Sequence, residues 1–512
     1  MQRTALPKDR ATAPGAQDGT PARGEAAPGY CGVVGWAVLA PVLVSLVLVV
    51  VAGFRLDAPF GPDFDGFNTA VWAEGSRSAR TDGWFDSRLG AATPQLEAAG
   101  QPPYAHHPPL LRVEIAAAQT WFGEGRWVAR LPALLSSLAA VWLCWGWLGA
   151  LGMRSSARAL GVLAVGGTSM FQLYGLMLNM EAVWLPFAFG LLWLWQTGER
   201  RSVEGSAEPG VGIACGVVGL AGALAAHQGI ILTALLAAVG VVRALRNRRR
   251  LAPHEVGVLC ATVLGAASFI GWILWAAGSL SDLVRIALVR ADGAGSWASW
   301  AESQVAHARA TIRLFAIAVL LAGPFLARRR PDVKVPLVVT WSLAVIYAVV
   351  FRQGAAIHPY WNVALLPPLA IGAALVAERA ESISRRVLGA TFLLAVLAVA
   401  STAVTTVQVG EVSDGTGELA RLAGRSPESL YTTDLVASWI RYEAGRDDIG
   451  ELSSCGEVRD LADRDRSAQV LTQRTWPPLT GKGWNAAVSA PSARIRQASL
   501  LVRADELAAI CR

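Results

Sequence analysis

Apolar runs about as long as a bilayer core is thick recur along this chain, and no other feature constrains its fold so strongly. A helix of about 20 residues crosses the hydrocarbon layer and satisfies its own backbone polar groups, which lipid cannot do. Such runs fall near 33–53, 128–150, 157–176, 181–197, 211–226, 229–243, 257–277, 311–327, 336–351, 360–377 and 387–408. They predict an all-α polytopic bundle with about eleven transmembrane helices. Composition agrees: of 512 residues, 53% are hydrophobic and 16% charged, with mean hydropathy +0.41. A soluble chain carries about a quarter charged residues.

The connecting segments alternate in charge. One set carries Arg154 and Arg158, Arg200 and Arg201, Arg243 with Arg246, Arg248, Arg249 and Arg250, Arg328–Arg330 with Lys334, and Arg379 with Arg385 and Arg386. Cytoplasmic loops collect Lys and Arg in this way. The opposite set includes the long loop 54–127, with nine acidic and six basic residues, the turns at Asn179 and His227, the segment 278–310 and the turn 352–359. This alternation puts the N-terminus inside and the C-terminus outside a cytoplasmic membrane. Segment 278–310 dissents by carrying Arg285, Arg290 and Arg309 on the outer side. Either the topology differs there or these arginines serve a site.

Residues 1–30 are rich in Pro, Gly, Ala and charge and predict a disordered cytoplasmic tail. The first apolar run reads as an uncleaved anchor. Residues 31–408 then form the transmembrane domain, and 409–512 a small extracytoplasmic α/β domain. Within the latter, Leu430–Thr433, Val470–Gln473 and Ser499–Arg503 read as strands and Leu435–Ala444 as a helix. Cys455 and Cys511 fall in that outer domain, where an oxidising compartment permits a disulfide; two free thiols are the alternative.

Five of six histidines, namely His106, His107, His227, His307 and His358, belong to the outer set. Asp63 and Asp65 follow the first span closely. A carboxylate there suits a general base on an acceptor hydroxyl, a cation ligand, or a cap for a helix beginning near Phe67; spacing alone favours the cap. In the run His106-His107-Pro108-Pro109, proline disfavours helix at the preceding residue, so His107 is presented in extended backbone before a helix over Leu110–Phe122. That geometry suits an anion and equally a plain helix-entry turn. Glu181 heads a span, where a carboxylate facing lipid is costly, so it faces protein or a watery cavity. His358-Pro359-Tyr360-Trp361-Asn362 opens another span; an aromatic belt accounts for the rings but not for His358 or Asn362.

The stretches "DFDGFN…GWFD…YAHHPPLL" and "GRWVARLPALLSSLAAVWL", followed in order by "LMLNMEAVWLPF" and "HPYWNVALLPPLAI", resemble membrane glycosyltransferases of the GT-C fold. The resemblance is to bacterial relatives of the protein O-mannosyltransferase and aminoarabinose transferase group, glycosyltransferase family 39-like, and covers about residues 33–380. It implies inverting transfer of a sugar from a polyprenyl-phosphate carrier to an acceptor hydroxyl at the outer face. By the same resemblance Asp65 is the base, with Asp63 open because Gly66 stands where the eukaryotic pattern has Glu. His107, Glu181, His358 and Tyr360 map to family segments. A departing phosphate needs cationic stabilisation, for which Arg285, Arg290 and Arg352 are candidates, with His106 beside His107. No P-loop-like Gly-rich motif for a nucleotide is present, no ligand cluster has diagnostic metal spacing, and no nucleic-acid partner is expected. Cofactor is therefore none, or a divalent cation near Asp65 and His107. A transporter or flippase of lipid-linked precursors is the rival reading, although paired halves with midplane sites are not evident. A polymerase or ligase of lipid-linked glycans and a non-catalytic assembly protein complete the field.

Overall fold

The computed structural model describes residues 30–58, 60, 64–93, 103–206, 208–292, 295–411, 416–433, 440–441, 444–446, 448–473, 476, 482–496 and 499–511. The expected tail 1–29, Asp63 and most of the expected helix Leu435–Ala444 lie outside them, as does the side chain of Asp65.

Helices α1 (Tyr30–Arg55), α2 (Phe64–Thr81), α3 (Leu110–Phe122), α4 (Arg126–Ala150), α5 (Ser155–Gly166), α6 (Ser169–Gln172), α7 (Met180–Val203), α8 (Pro209–Ala225), α9 (His227–Arg246) and α10 (Pro253–Ala277) make the first part of the bundle. Then come α11 (Ser281–Asp292), α12 (Trp297–Thr311), α13 (Arg313–Leu326), α14 (Pro331–Val350), α15 (Arg352–Ile357), α16 (Leu366–Ile383) and α17 (Arg385–Glu411). The protein is a multi-pass membrane protein. The expected apolar runs fall on these helices except 157–176, which is divided between α5, α6 and the turn after them, and 360–377, which opens in the 3-10 helix Pro359–Leu365 before α16; seven of the described segments are long and apolar enough to span alone, or eight if α12 and α13 form one broken span. The remainder fall short for local reasons. α5 and α8 have 12 and 17 residues, and α7 carries Glu181 at one end and Arg200 and Arg201 at the other.

Outward faces are apolar, as lipid requires: Leu46, Val50, Ile213, Val263 and Leu393 are all exposed. Inward faces depend on small residues. Gly212 and Gly216 on α8, one helical turn apart, meet Gly257 on α10, and a Cβ at Gly257 would collide with the Gly212 carbonyl. Such small-residue seams let transmembrane helices approach closely.

The arginine-rich ends gather at one end of the bundle. There Arg330 Nη1 donates to Glu378 at 2.6 Å, Arg154 lies 3.6 Å from Glu381, and Arg243 pairs with Glu199 at 2.5 Å. At the opposite end lie α2, α3, α11, α12 and α15, together with the C-terminal domain, whose Arg441 Nη1 is 3.8 Å from Glu74 Oε1 of α2.

The C-terminal domain is a five-stranded sheet of order β2-β1-β3-β5-β4, with β1 (Leu430–Thr433), β2 (Gly450–Leu452), β3 (Gln469–Gln473), β4 (Arg494–Arg496) and β5 (Ser499–Arg503). The pairs β1–β2 and β1–β3 are parallel, and β3–β5 and β4–β5 antiparallel. The short strands β2 and β4 carry few apolar residues to betray them. Cys455 and Cys511 are disulfide-bonded with Cα atoms 5.3 Å apart, joining the helices Cys455–Arg464 and Ala504–Ile510 that pack on one another. The bond closes a loop with a sequence separation of 56, so Cys455→Ser is expected to destabilise this domain by about 2–4 kcal/mol. A lower thermal midpoint for the full chain in detergent, reproduced in wild type by reductant, checks this.

Candidate active site away from the arginine-rich end

Helix α2 begins at Phe64. Asp65 therefore lies inside its first turn and not before a helix starting near Phe67, so its backbone position is not that of a cap. The segment leading into α2 is held from α4: Arg126 Nη1 donates to the Asp57 carbonyl at 2.9 Å, and Arg130 Nη1 to the Leu56 and Ala58 carbonyls at 3.0 and 2.7 Å. The Arg130 guanidinium also lies over the Phe60 ring. The Gly-Arg-Trp-Val-Ala-Arg run at 125–130 thus fixes where the chain leaves the first span.

Close by is a cavity of about 280 Å³. One wall is Val71 and Trp72 of α2 with Tyr104, His106 and His107. Asn179, Met180 and Glu181 form the start of α7, and α11 presents Leu283, Ile286, Ala287 and Arg290. That spacing is one helical face. Tyr347, Phe351, His358, Tyr360 and Trp361 close the remaining side.

The histidine segment is pinned through its backbone. Trp272 Nε1 of α10 donates to the Ala105 and His107 carbonyls at 3.1 and 3.0 Å, and His227 Nε2 donates to the His106 carbonyl at 3.1 Å. Its rings pack in sequence at steep angles, with centroids 4.1 Å apart for the edge-on pair Tyr104–His106 and 4.3 Å for His106–His107. Behind them the buried Arg112 Nη2 donates to the Tyr104 carbonyl at 2.7 Å and its guanidinium lies over the Trp72 ring. Burial lowers Arg112 to about 10, Tyr104 opposing, so it stays cationic at neutral pH.

The imidazoles do not. Burial first, then His106, His227, Arg112 and Arg290, hold His107 well below its ordinary range. Burial, Arg290 and His307 bring His358 to about 4. Both are neutral at pH 7, able to donate or accept one hydrogen bond without adding charge. Arg290 is left as the permanently charged cation among the lining residues, and it makes no ion pair among the described residues.

The sign of the His358 shift gives a prediction. Its proton binds more weakly in the folded state, so its effect on stability is nil above the unfolded value of 6.5 and grows as pH falls toward about 4. Thermal midpoints should fall between these pH values, and His358→Gln should reduce the slope.

Of the residues singled out from sequence, His106, His107, Glu181, Arg290, His358 and Tyr360 meet in this one cavity. Arg285 and Arg352 do not line it. Five positions before Arg290, Arg285 points about 140° away on the helix and is exposed; the Arg352 guanidinium lies 4.5 Å from the Trp297 ring. Sequence reasoning missed Trp72, Tyr104, Asn179, His227, Tyr347 and Trp361 as lining residues, and Trp272 and Arg112 as supports. The outer placement of His227, Asn179 and Tyr104 was the usable signal, whereas Trp72, Tyr347 and Trp361 look like ordinary aromatic residues.

This architecture matches known structures over almost its whole length. ArnT from Cupriavidus metallidurans bound to undecaprenyl phosphate matches with TM-score 0.65 and 16% identity, covering 94% of this chain and 99% of that one. The apo state matches with TM-score 0.66 and 14% identity over the same shares. This protein has the GT-C fold. The archaeal oligosaccharyltransferase AglB from Archaeoglobus fulgidus, in complex with an inhibitory peptide and a dolichol-phosphate, is a more distant GT-C structure. It has TM-score 0.53 and 10% identity, covering 88% of this chain and 71% of that one. No family model and no curated protein matches the sequence.

Within this GT-C fold, the metal-like cluster found among the described residues is Glu199, His254 and Glu255, at the arginine-rich end. Its carboxylates are already engaged: Glu255 by Arg249 at 2.6 and 2.7 Å, and Glu199 by Arg243 at 2.5 Å and His254 Nε2 at 3.0 Å. It is an ion-pair network, and a cation there would have to displace two arginines.

Proposed function

We propose that this protein transfers a sugar from a polyprenyl-phosphate carrier to an acceptor hydroxyl at the outer face of a cytoplasmic membrane, with its N-terminus inside and its C-terminal domain outside. The observation that carries this reading is a cavity at the arginine-poor end where Arg290 and neutral histidines stand beside an apolar wall. The arginine-rich end faces the cytosol by the usual charge rule. The undecaprenyl phosphate of the ArnT structure and the dolichol-phosphate of the AglB structure support a lipid-borne phosphate as the ligand here.

The acceptor oxygen attacks the anomeric carbon from the face opposite the carrier, and the carbon–oxygen bond to phosphate breaks, inverting the centre. Asp65 takes the acceptor proton; it lies seven positions before the cavity-lining Trp72 on α2, near one helical face with it. Asp63, just before the helix, is the alternative base. The electron pair leaves with the carrier phosphate, where Arg290 stabilises the growing charge and His107 and His358 donate hydrogen bonds. Val71, Leu283 and Ile286 suit the first isoprene units. This chemistry asks for no nucleotide.

The reading is tested with purified protein in lipid nanodiscs given undecaprenyl-phosphate hexose and membrane extract as acceptor. Release of free undecaprenyl phosphate, seen by mass spectrometry, is the expected result. Movement of intact donor between leaflets without release would favour a flippase.

A further inference from the structure

The cavity is electrically lopsided. Arg290 stands on α11, whereas the carboxylate of Glu181 stands at the head of α7. Tyr347 lines the same cavity as both, so the two ends face one space. A phosphate is drawn to the Arg290 guanidinium and, among the described residues, finds no cation at the Glu181 end of the cavity. The donor therefore has a preferred direction, with phosphate toward Arg290 and sugar toward Glu181.

The Glu181 end carries unused hydrogen-bonding capacity. Glu181 is 2% exposed and Asn179 is 3% exposed. Asn179 Oδ1 is occupied as a helix cap, accepting from Met180 N at 2.9 Å, but its Nδ2 has no partner. Glu181 Oε1 accepts a long bond of 3.4 Å from Gln228 Nε2, and Glu181 Oε2 has no partner. Buried polar atoms are nearly always satisfied, because an unmet one costs the full desolvation penalty. Here one free acceptor and one free donor sit two residues apart on the same cavity wall. A pyranose offers that pair of complements, a hydroxyl or ammonium hydrogen beside a ring-substituent oxygen.

We infer that Asn179 and Glu181 form the sugar-recognition floor of this site. Glu181 Oε2 accepts from a donor-bearing substituent of the transferred sugar, and Asn179 Nδ2 donates to a neighbouring sugar oxygen. Gln228, wholly buried at the start of α9, is a positioning residue that holds the carboxylate in this orientation. Glu181 is thus a sugar ligand and not a phosphate ligand. The inference rests on the glycosyl-transfer reading and deepens it.

The test measures binding by quenching of the cavity tryptophans in full-length protein in nanodiscs. The probes are undecaprenyl phosphate, undecaprenyl-phosphate mannose and an undecaprenyl-phosphate aminosugar. Wild type should bind at least one glycosylated carrier more tightly than the bare one. Glu181→Gln is near-isosteric, and Asn179→Asp keeps the capping oxygen while removing the donor, so both should fold. Each should erase about 10- to 100-fold of the sugar-dependent gain, the size expected when a buried hydrogen-bonding group loses its partner. Bare undecaprenyl phosphate should bind Glu181→Gln as well as, or better than, wild type, and Asn179→Asp within a few-fold of it. Gln228→Leu should weaken the glycosylated carrier, and Gln228→Glu should not restore it.

A gain lost only for the aminosugar assigns an ammonium to Glu181, and a gain lost for mannose assigns a hydroxyl; both support the floor. Equal weakening of bare and glycosylated carrier by Glu181→Gln overturns it, as does a sugar-dependent gain that survives both substitutions. Failure of wild type to bind any carrier would sink the glycosyl-transfer reading itself, a result distinct from these.

Discussion

Asp65→Asn is expected to lower sugar transfer by about 10²–10⁴-fold, the usual contribution of a positioned general base, while leaving the affinity for the carrier within a few-fold of wild type. The reason is where the residue sits. Asp65 lies in the first turn of α2, and the same helix supplies Trp72 to the cavity. Asparagine keeps the shape and removes the proton acceptor. The companion Asp63→Asn decides between the two carboxylates, since only the base should show the full loss. Release of undecaprenyl phosphate from labelled donor, measured for both variants beside wild type, is the assay. Undiminished turnover in both would remove the carboxylate mechanism.

Arg290→Met is expected to cost about 10²–10³-fold in turnover, comparable to removing one preorganised donor at a developing charge. Arg290 is the cation the cavity presents while the half-buried His107 and His358 are neutral, so no other lining residue can take over its charge. Arg290→Lys should recover only part of the loss, because an ammonium lacks the planar fork that matches phosphate oxygens. Arg285→Met serves as the control. It removes an exposed arginine from the same helix outside the cavity and should leave turnover unchanged. If Arg285→Met were as damaging as Arg290→Met, the effect would come from helix α11 or the membrane surface and not from the cavity.

The legible part of this protein was the part written in period and length. Helix Leu110–Phe122 falls where His-His-Pro-Pro placed its start, because proline restricts the backbone locally and needs no partner to do so. Strands Leu430–Thr433 and Ser499–Arg503 likewise appear where apolar β-formers cluster. The span count was less legible. Helices α5 and α8 are shorter than a bilayer is thick, and packing against neighbours completes what their own length cannot. The start of α2 was misplaced by a few residues, which changed Asp65 from a cap to a first-turn residue.

Sequence by itself determined that this chain must be a helical bundle in lipid, which end of it collects arginine, and which polar residues lie at the other end. Those follow from local rules, since each backbone segment has to satisfy its hydrogen bonds within itself once water is gone. Only the tertiary structure decided which of those residues share a cavity. Arg290 and Arg285 are equal in sequence, five positions apart, and a helix turn sends one inward and the other out. Trp272 and His227 hold the histidine segment from helices more than a hundred residues away. Such contacts depend on how helices pack face to face, and no local pattern encodes that.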